Sequence, residues 1–214
     1  MKLHFYIIFI LGSIFAHGQE QFVIPKGTKS LGVMFNYSFL KEKGANTEVD
    51  FINHNFLFSP SFGYAIKNNL ILGTQLRYIL RREVADSDNL QQRATRRDII
   101  NRGGGIDVFI KKHITLNKAL LFNVKANIGY QTTKEEDFNS SQDFRTHIFN
   151  VGITPGLTLS LSKRLALTAD FGFIGYTNTK EVFYNDFTDT EKEERFDVDF
   201  SSFNLLVGLV YFIK

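Results

Sequence analysis

The chain contains no cysteine and no tryptophan, and only 3 prolines in 214 residues. The absence of cysteine excludes a disulfide framework, a thiolate metal site, a cysteine nucleophile and a lipid-bearing N-terminal cysteine. An excess of charge of one sign is also missing. The 25 Lys and Arg against 22 Asp and Glu leave a formal +3, too little to argue for a nucleic-acid partner. No stretch beyond the first 18 residues approaches the length of apolar run that a spanning helix needs. With a mean hydropathy of -0.11, this excludes a polytopic helical membrane protein. What is abundant is phenylalanine: 23 Phe and 8 Tyr make up the whole 14% aromatic share. A length of 214 residues suits one domain of ordinary size.

Residues 1–18 read MKLHFYIIFILGSIFAHG. Lys2 is a positive leader, Leu3 to Phe15 is an apolar stretch, and Ala16 and Gly18 place small residues before Gln19. This is the pattern of a secretory signal peptide cleaved near Gly18-Gln19. An N-terminal anchor helix is the alternative, although the run is short for one. Cleavage removes Lys2, so the mature chain carries 3 - 1 = +2.

The remainder alternates with period two, as strands do. In 31–39, Leu31, Val33, Phe35, Tyr37 and Phe39 share one face, and Gly32, Met34, Asn36 and Ser38 the other. The same alternation runs through 55–66, 70–80, 105–110, 120–130, 149–161, 165–173 and 202–213. This predicts eight strands, and no helical period competes after the leader. Connections near 67–69, 112–117 and 162–164 are tight. Those near 41–50, 82–99, 131–146 and 178–198 are longer and polar. An even strand count with short connections at one end and long ones at the other predicts an all-β, eight-stranded antiparallel up-and-down barrel. A weak repeat accompanies it. Pro60 and Pro155 stand 155 - 60 = 95 apart, each ten residues before a leucine, with a short polar turn between. A proline in a central strand forfeits a ladder bond, so each is expected to mark a bulge.

Alternation does not say which face is inside. A soluble lipocalin-like barrel hides its apolar face, whereas a membrane barrel shows it to lipid. The polar face consists largely of Gly, Ser, Thr and Asn, which fit a narrow interior. It has few of the Lys and Glu of a solvated surface, and the apolar stripes match the ~9–11 residues of a tilted crossing strand. These features favour the membrane arrangement, with an N-terminal periplasmic segment over 19–27 and the barrel over 28–214.

The stretches FSPSFGYAIKNNLILGTQLRY (58–78) and GITPGLTLSLSKRLALTADFGFIGY (152–176) and the end FNLLVGLVYFIK resemble the outer-membrane β-barrel proteins of Bacteroidota, of the porin-family, OmpA-like kind. The resemblance covers nearly the whole mature chain and its motifs are architectural. It implies export, insertion by the barrel-assembly machinery, an eight-stranded barrel, and contact with outer-membrane lipids and lipopolysaccharide. The chain departs from a terminal aromatic, ending Phe212-Ile213-Lys214.

Four charges fall on the inward parity: Arg77, Asp107, Lys125 and Asp170. Counted from the nearest tight turn they lie at similar depth, with Asp107 and Lys125 nearly opposite on one hairpin. Charges in so small an interior must pair, as a structural plug or as the lining of a narrow gated path. From 91 to 102 four Arg, among them Arg93, Arg96 and Arg97, face one Asp, a balance of +3. Guanidinium forks there suit lipopolysaccharide phosphates; a solvated loop is the plainer reading. Between 178 and 200 eight acidic residues outweigh three basic ones, a balance of -5. That segment reads as a solvated loop, a weak divalent-cation site, or a partner of the Arg-rich loop. His54 and His147 fall near the outer rim and His113 in a short turn, and no nucleophile–base–acid motif accompanies them. The expectation is a monomeric, non-enzymatic outer-membrane barrel without cofactor, metal or nucleic-acid partner. Its role would be envelope structure or surface interaction through the long loops. A narrow conduit and a lipid-modifying rim enzyme are the alternatives.

Overall fold

A computed structural model of the chain describes residues 22–43, 49–89, 92–137, 144–183, 190–200 and 205–214. The leader 1–18 lies outside them. Ten antiparallel strands form one sheet: β1 (Lys29–Lys43), β2 (Val49–Lys67), β3 (Leu70–Asn89), β4 (Gln92–Thr115), β5 (Leu120–Asp137), β6 (Phe144–Ser160), β7 (Leu165–Asp170), β8 (Phe173–Phe183), β9 (Thr190–Asp199) and β10 (Leu206–Ile213). Their order is β5-β4-β3-β2-β1-β10-β7-β6-β8-β9, and an additional β5–β6 pairing closes β1 to β7 and β10 into a ring of eight.

β8 and β9 are the upper continuations of β7 and β10. β6 pairs with β7 through Gly156–Ser160 and with β8 through Phe144–Ile153. Between them the register slips by one residue at Pro155, opposite Phe171-Gly172. Gly172 has φ +78°, and the Phe171 amide donates to the Pro155 carbonyl at 2.9 Å. The left-handed backbone there is one that a side-chain-bearing residue resists, and it ends β7 where the bulge was expected. Pro60 differs. It keeps its register opposite Val33, and the pairing with β3 resumes unshifted on either side of it. β9 pairs with β8, and among the described residues it shares no ladder with the upper half of β1.

The strands outrun the sequence expectation. β3 continues to Asn89, β4 begins at Gln92, and the stretch 178–198, expected as a loop, is largely the β8–β9 pair. These extensions are polar on both faces, so hydropathy gives no period there, while the backbone ladder continues regardless.

Polarity across the ring is inverted relative to a water-soluble domain. Buried side chains include Ser59, Gln75, Asp107, Lys111, Lys125, Thr158, Thr168 and Asp170, whereas Phe35, Phe58, Phe62, Leu76, Val108 and Ile128 are exposed. Apolar residues meet across the outer face: Phe35 stands opposite Phe58, Phe58 opposite Tyr78, Ile106 opposite Tyr130, and Ile128 opposite Val151. The outward apolar stretches are of similar length: 31–39, 56–66, 70–80, 120–130, 149–161 and 205–213 span nine to thirteen residues, and on β4 the run 106–114 is interrupted by Lys112.

The short-turn end has a small core of another kind. Phe22 and Ile24 are buried with Ala65, Ile71, Phe109, Leu121, Ala166 and Phe212. The Phe22 amide donates to the Lys118 carbonyl, the Ile24 amide to Asn69 Oδ1, and the Asn69 amide to the Ile24 carbonyl. Asn69 closes the β2–β3 turn with φ 59°, a conformation that asparagine tolerates better than most residues. The expected N-terminal segment over 19–27 is thus, from Phe22 onward, packed across this mouth of the ring.

Candidate functional site

Inward parity places two ion-pair groups in the interior, one above the other. Arg77 of β3 meets Asp107 of β4 through paired guanidinium–carboxylate hydrogen bonds, from Nε to Oδ2 at 2.6 Å and from Nη2 to Oδ1. Its remaining N–H groups reach Gln131 Oε1 at 3.4 Å and Asn150 Oδ1 at 3.5 Å. Deeper toward the short-turn end, the Asp170 carboxylate accepts from Lys125 Nζ at 2.8 Å and from Lys111 Nζ at 3.0 Å. Asp170 is fully buried at the end of β7, where the bulge begins. Gln75 joins the groups: its Nε2 donates to Ser59 Oγ at 2.6 Å and its Oε1 accepts from Lys125 at 3.4 Å.

All four sequence-predicted charges line this interior, but their pairing differs from the expectation. Asp107 stands opposite Gly129 and not Lys125, and Lys125 stands opposite Lys111. Counting from turns assumed flat hairpins; the observed register puts Asp107 four residues further from the turn than Lys111, and each anion takes the cation that its own strand stagger delivers. Lys111 was missed because it lies next to the polar turn near 112–117. The signal was available: Asp107, Phe109 and Lys111 share one parity.

Two glycines make room for the carboxylates. A Cβ at Gly129 would collide with the Asp107 carboxylate and the Arg77 guanidinium. A Cβ at Gly156 would come within 2.7 Å of Asp170 Oδ1. Gly129→Val is therefore expected to destabilise the fold by about 1–3 kcal/mol through overpacking, read as a lowered urea midpoint in detergent micelles. Gly104→Ala, whose Cβ would meet nothing nearer than 3.4 Å, is expected to leave that midpoint unchanged.

Above the ion pairs lies a cavity of about 310 Å³, bordered by Asn36, Arg77, Asn127, Asn150, Arg195 and Asp199, among others. Asn127 Oδ1 is buried there without a protein partner. The cavity faces the long-connection end; below it the network and the Phe22–Ile24 core fill the ring.

Of the other candidates, Arg93, Arg96 and Arg97 have their backbone in β4, while their side chains lie outside the described residues. Glu181, Glu191, Glu193, Asp197 and Asp199 of the acidic stretch share the inward parity of β8 and β9, and Glu194 the outward one. Asp186 and Asp189 lie outside the described residues. Among the described residues no three His, Asp or Glu side chains converge as metal ligands do. His113 is buried near the short-turn end, with Nδ1 unpartnered. His54 and His147 face outward, and each bonds a tyrosine: Tyr37 Oη lies 3.0 Å from His54 Nδ1, and Tyr130 Oη lies 2.7 Å from His147 Nδ1.

No protein-family model matches the chain, and no curated protein resembles it at a significant level.

Proposed function

We propose that the chain is an exported, integral outer-membrane β-barrel without enzymatic activity, which serves envelope structure or surface interaction through its long-connection end. The observation that carries this reading is the inverted polarity: charged and amide side chains inside, bulky apolar side chains outside. Such a surface is a liability in water and a match to hydrocarbon. Nine to eleven residues, the length of most of these stretches, at about 3.3 Å each and tilted by ~35–45° cover roughly 21–30 Å, which brackets the ~25 Å apolar band of known outer-membrane barrels. Ring closure supports the reading too, because lipid offers no partner to an open edge and eight strands pair in a ring, with β1 laddered to β10 over Lys29–Phe35. The outward tyrosines add to it: Tyr64 and Tyr211 lie toward one end of the apolar zone, and Tyr37, Tyr78, Tyr130 and Tyr176 toward the other. Tyrosine favours the two membrane–water boundaries.

The buried ion network and the Phe22–Ile24 core argue for a barrel that is shut rather than one that conducts. Eight strands leave an interior that side chains just fill. Monomeric state, insertion by the barrel-assembly machinery and contact with outer-membrane lipids belong to the same proposal.

The deciding experiment is fractionation of the full chain expressed in a Gram-negative host. The expected result is co-sedimentation with outer membranes and faster gel migration before boiling than after. Recovery as a soluble periplasmic protein would overturn the proposal. In planar bilayers the purified protein is expected to give no sustained conductance. Steady single-channel steps would favour the narrow-conduit alternative.

A further inference from the structure

The two outward histidines belong to a repeated arrangement. On β1–β2–β3, Tyr37 bonds His54, and His54 stands in register with Arg82. On β5–β6–β8, Tyr130 bonds His147, and His147 stands in register with Lys180. In both, tyrosine and histidine are 17 residues apart, and the tyrosine pairs with a phenylalanine, Phe56 or Phe149. The two copies centre on β2 and β6, four strands apart in the ring of eight and so on opposite sides.

Charge sorts by parity around them. Beyond the apolar zone at the long-connection end, the outward positions whose side chains are described hold Lys41, Arg82, Arg102, Lys134, Arg145, Lys180 and Lys192 against Asp98, Glu136 and Glu194. Among the described residues, the charged inward positions at this end are mostly acidic, with Glu83, Glu135, Glu181, Glu191 and Glu193 among them against Arg81 and Arg195. Solvation alone gives no reason for cations to prefer the outer face. A ring of anions outside gives one.

We infer that each Tyr–His–cation station holds the phosphate of a lipid headgroup from the surrounding leaflet. The inference rests on the membrane proposal and adds a ligand class and two sites to it. With the tyrosine O–H donating to Nδ1, the neutral imidazole carries its proton on Nε2 and offers it as a donor. The Lys180 ammonium supplies charge at one station; at the other, Arg82 holds the Asp98 carboxylate through Nε and Nη2 at 3.0 and 2.6 Å and has Nη1 to donate, and phosphate oxygens accept from such groups. The tyrosine ring and its cross-strand phenylalanine set the station at the edge of the apolar zone.

The test is native mass spectrometry of the full chain in detergent micelles with dipalmitoyl phosphatidic acid, and with the matching diacylglycerol as the phosphate-free control. Wild type is expected to retain up to two phosphatidic acid molecules and to discriminate against diacylglycerol. H54Q/R82Q and H147Q/K180Q are each expected to weaken one site about tenfold, the loss of a charge-assisted contact. Lys112→Gln, outward at the short-turn end, is expected to leave both sites intact. Unchanged retention in both double variants, equal retention of diacylglycerol, or displacement of the lipid by excess inorganic phosphate would overturn the inference. The heat-dependent gel shift in the same micelles keeps the two proposals apart. A chain that shows the shift but no station effect refutes the stations alone, and a chain without it refutes the barrel.

Discussion

Replacing Asp170 by alanine is expected to cost about 3–5 kcal/mol, the penalty for removing one partner of a buried ion pair. The reason is specific to this site. Asp170 is the shared acceptor of Lys111 and Lys125, both buried, so one deletion strands two ammonium groups. The urea midpoint in micelles and the temperature at which the fast-migrating band disappears both report the effect. Lys125→Met is expected to be milder, because Lys111 remains 3.0 Å from the carboxylate. The triple variant D170A/K111M/K125M is expected to recover most of the loss, since apolar side chains of similar volume replace buried ion pairs at little cost. A loss below about 1 kcal/mol for Asp170→Ala would mean that water from the cavity above reaches the lysines. The ion cluster would then not hold the fold together.

The second large effect tests the surroundings of the molecule. Leu76 is 54% exposed and sits centrally in its outward apolar stretch. In water, Leu76→Arg would be a surface substitution, worth within about ±0.5 kcal/mol. At the middle of a bilayer, arginine on the lipid face costs about 2–4 kcal/mol. The expected result is the larger value, measured as folding free energy into phosphatidylcholine vesicles. Arginine in place of Lys112, at the short-turn edge, is expected to change little by comparison. An equal, small effect at both positions would contradict immersion in lipid.

Legibility in the sequence followed hydropathy. Where apolar and small polar residues alternate, as in Leu31–Phe39 or Leu120–Tyr130, strand, face and length could all be read directly. Where both faces are polar, the pattern vanished. Residues 178–198 read as an acidic loop although they are mostly β8 and β9. The prolines divided for a related reason. Pro155 has Gly172 across from it, free to turn at φ +78°, and the register slips there. Pro60 has no such neighbour and stays in line. The site was half legible. Parity alone assigned Arg77, Asp107, Lys125 and Asp170 to the interior, but parity says nothing about stagger between strands.

The sequence by itself therefore determined the all-β class, the alternation and the set of charged side chains that share a face. These are properties of one strand at a time, fixed by a side-chain period of two. The tertiary structure decided the rest: that the apolar face points outward, that Arg77 takes Asp107 while Lys111 and Lys125 share Asp170, that Phe22 and Ile24 close one mouth, and that Tyr37–His54 and Tyr130–His147 form matching outward pairs. Each of these depends on register and closure between strands distant in sequence. The local pattern is compatible with either face inward and with more than one stagger, and only closing the ring selects among them.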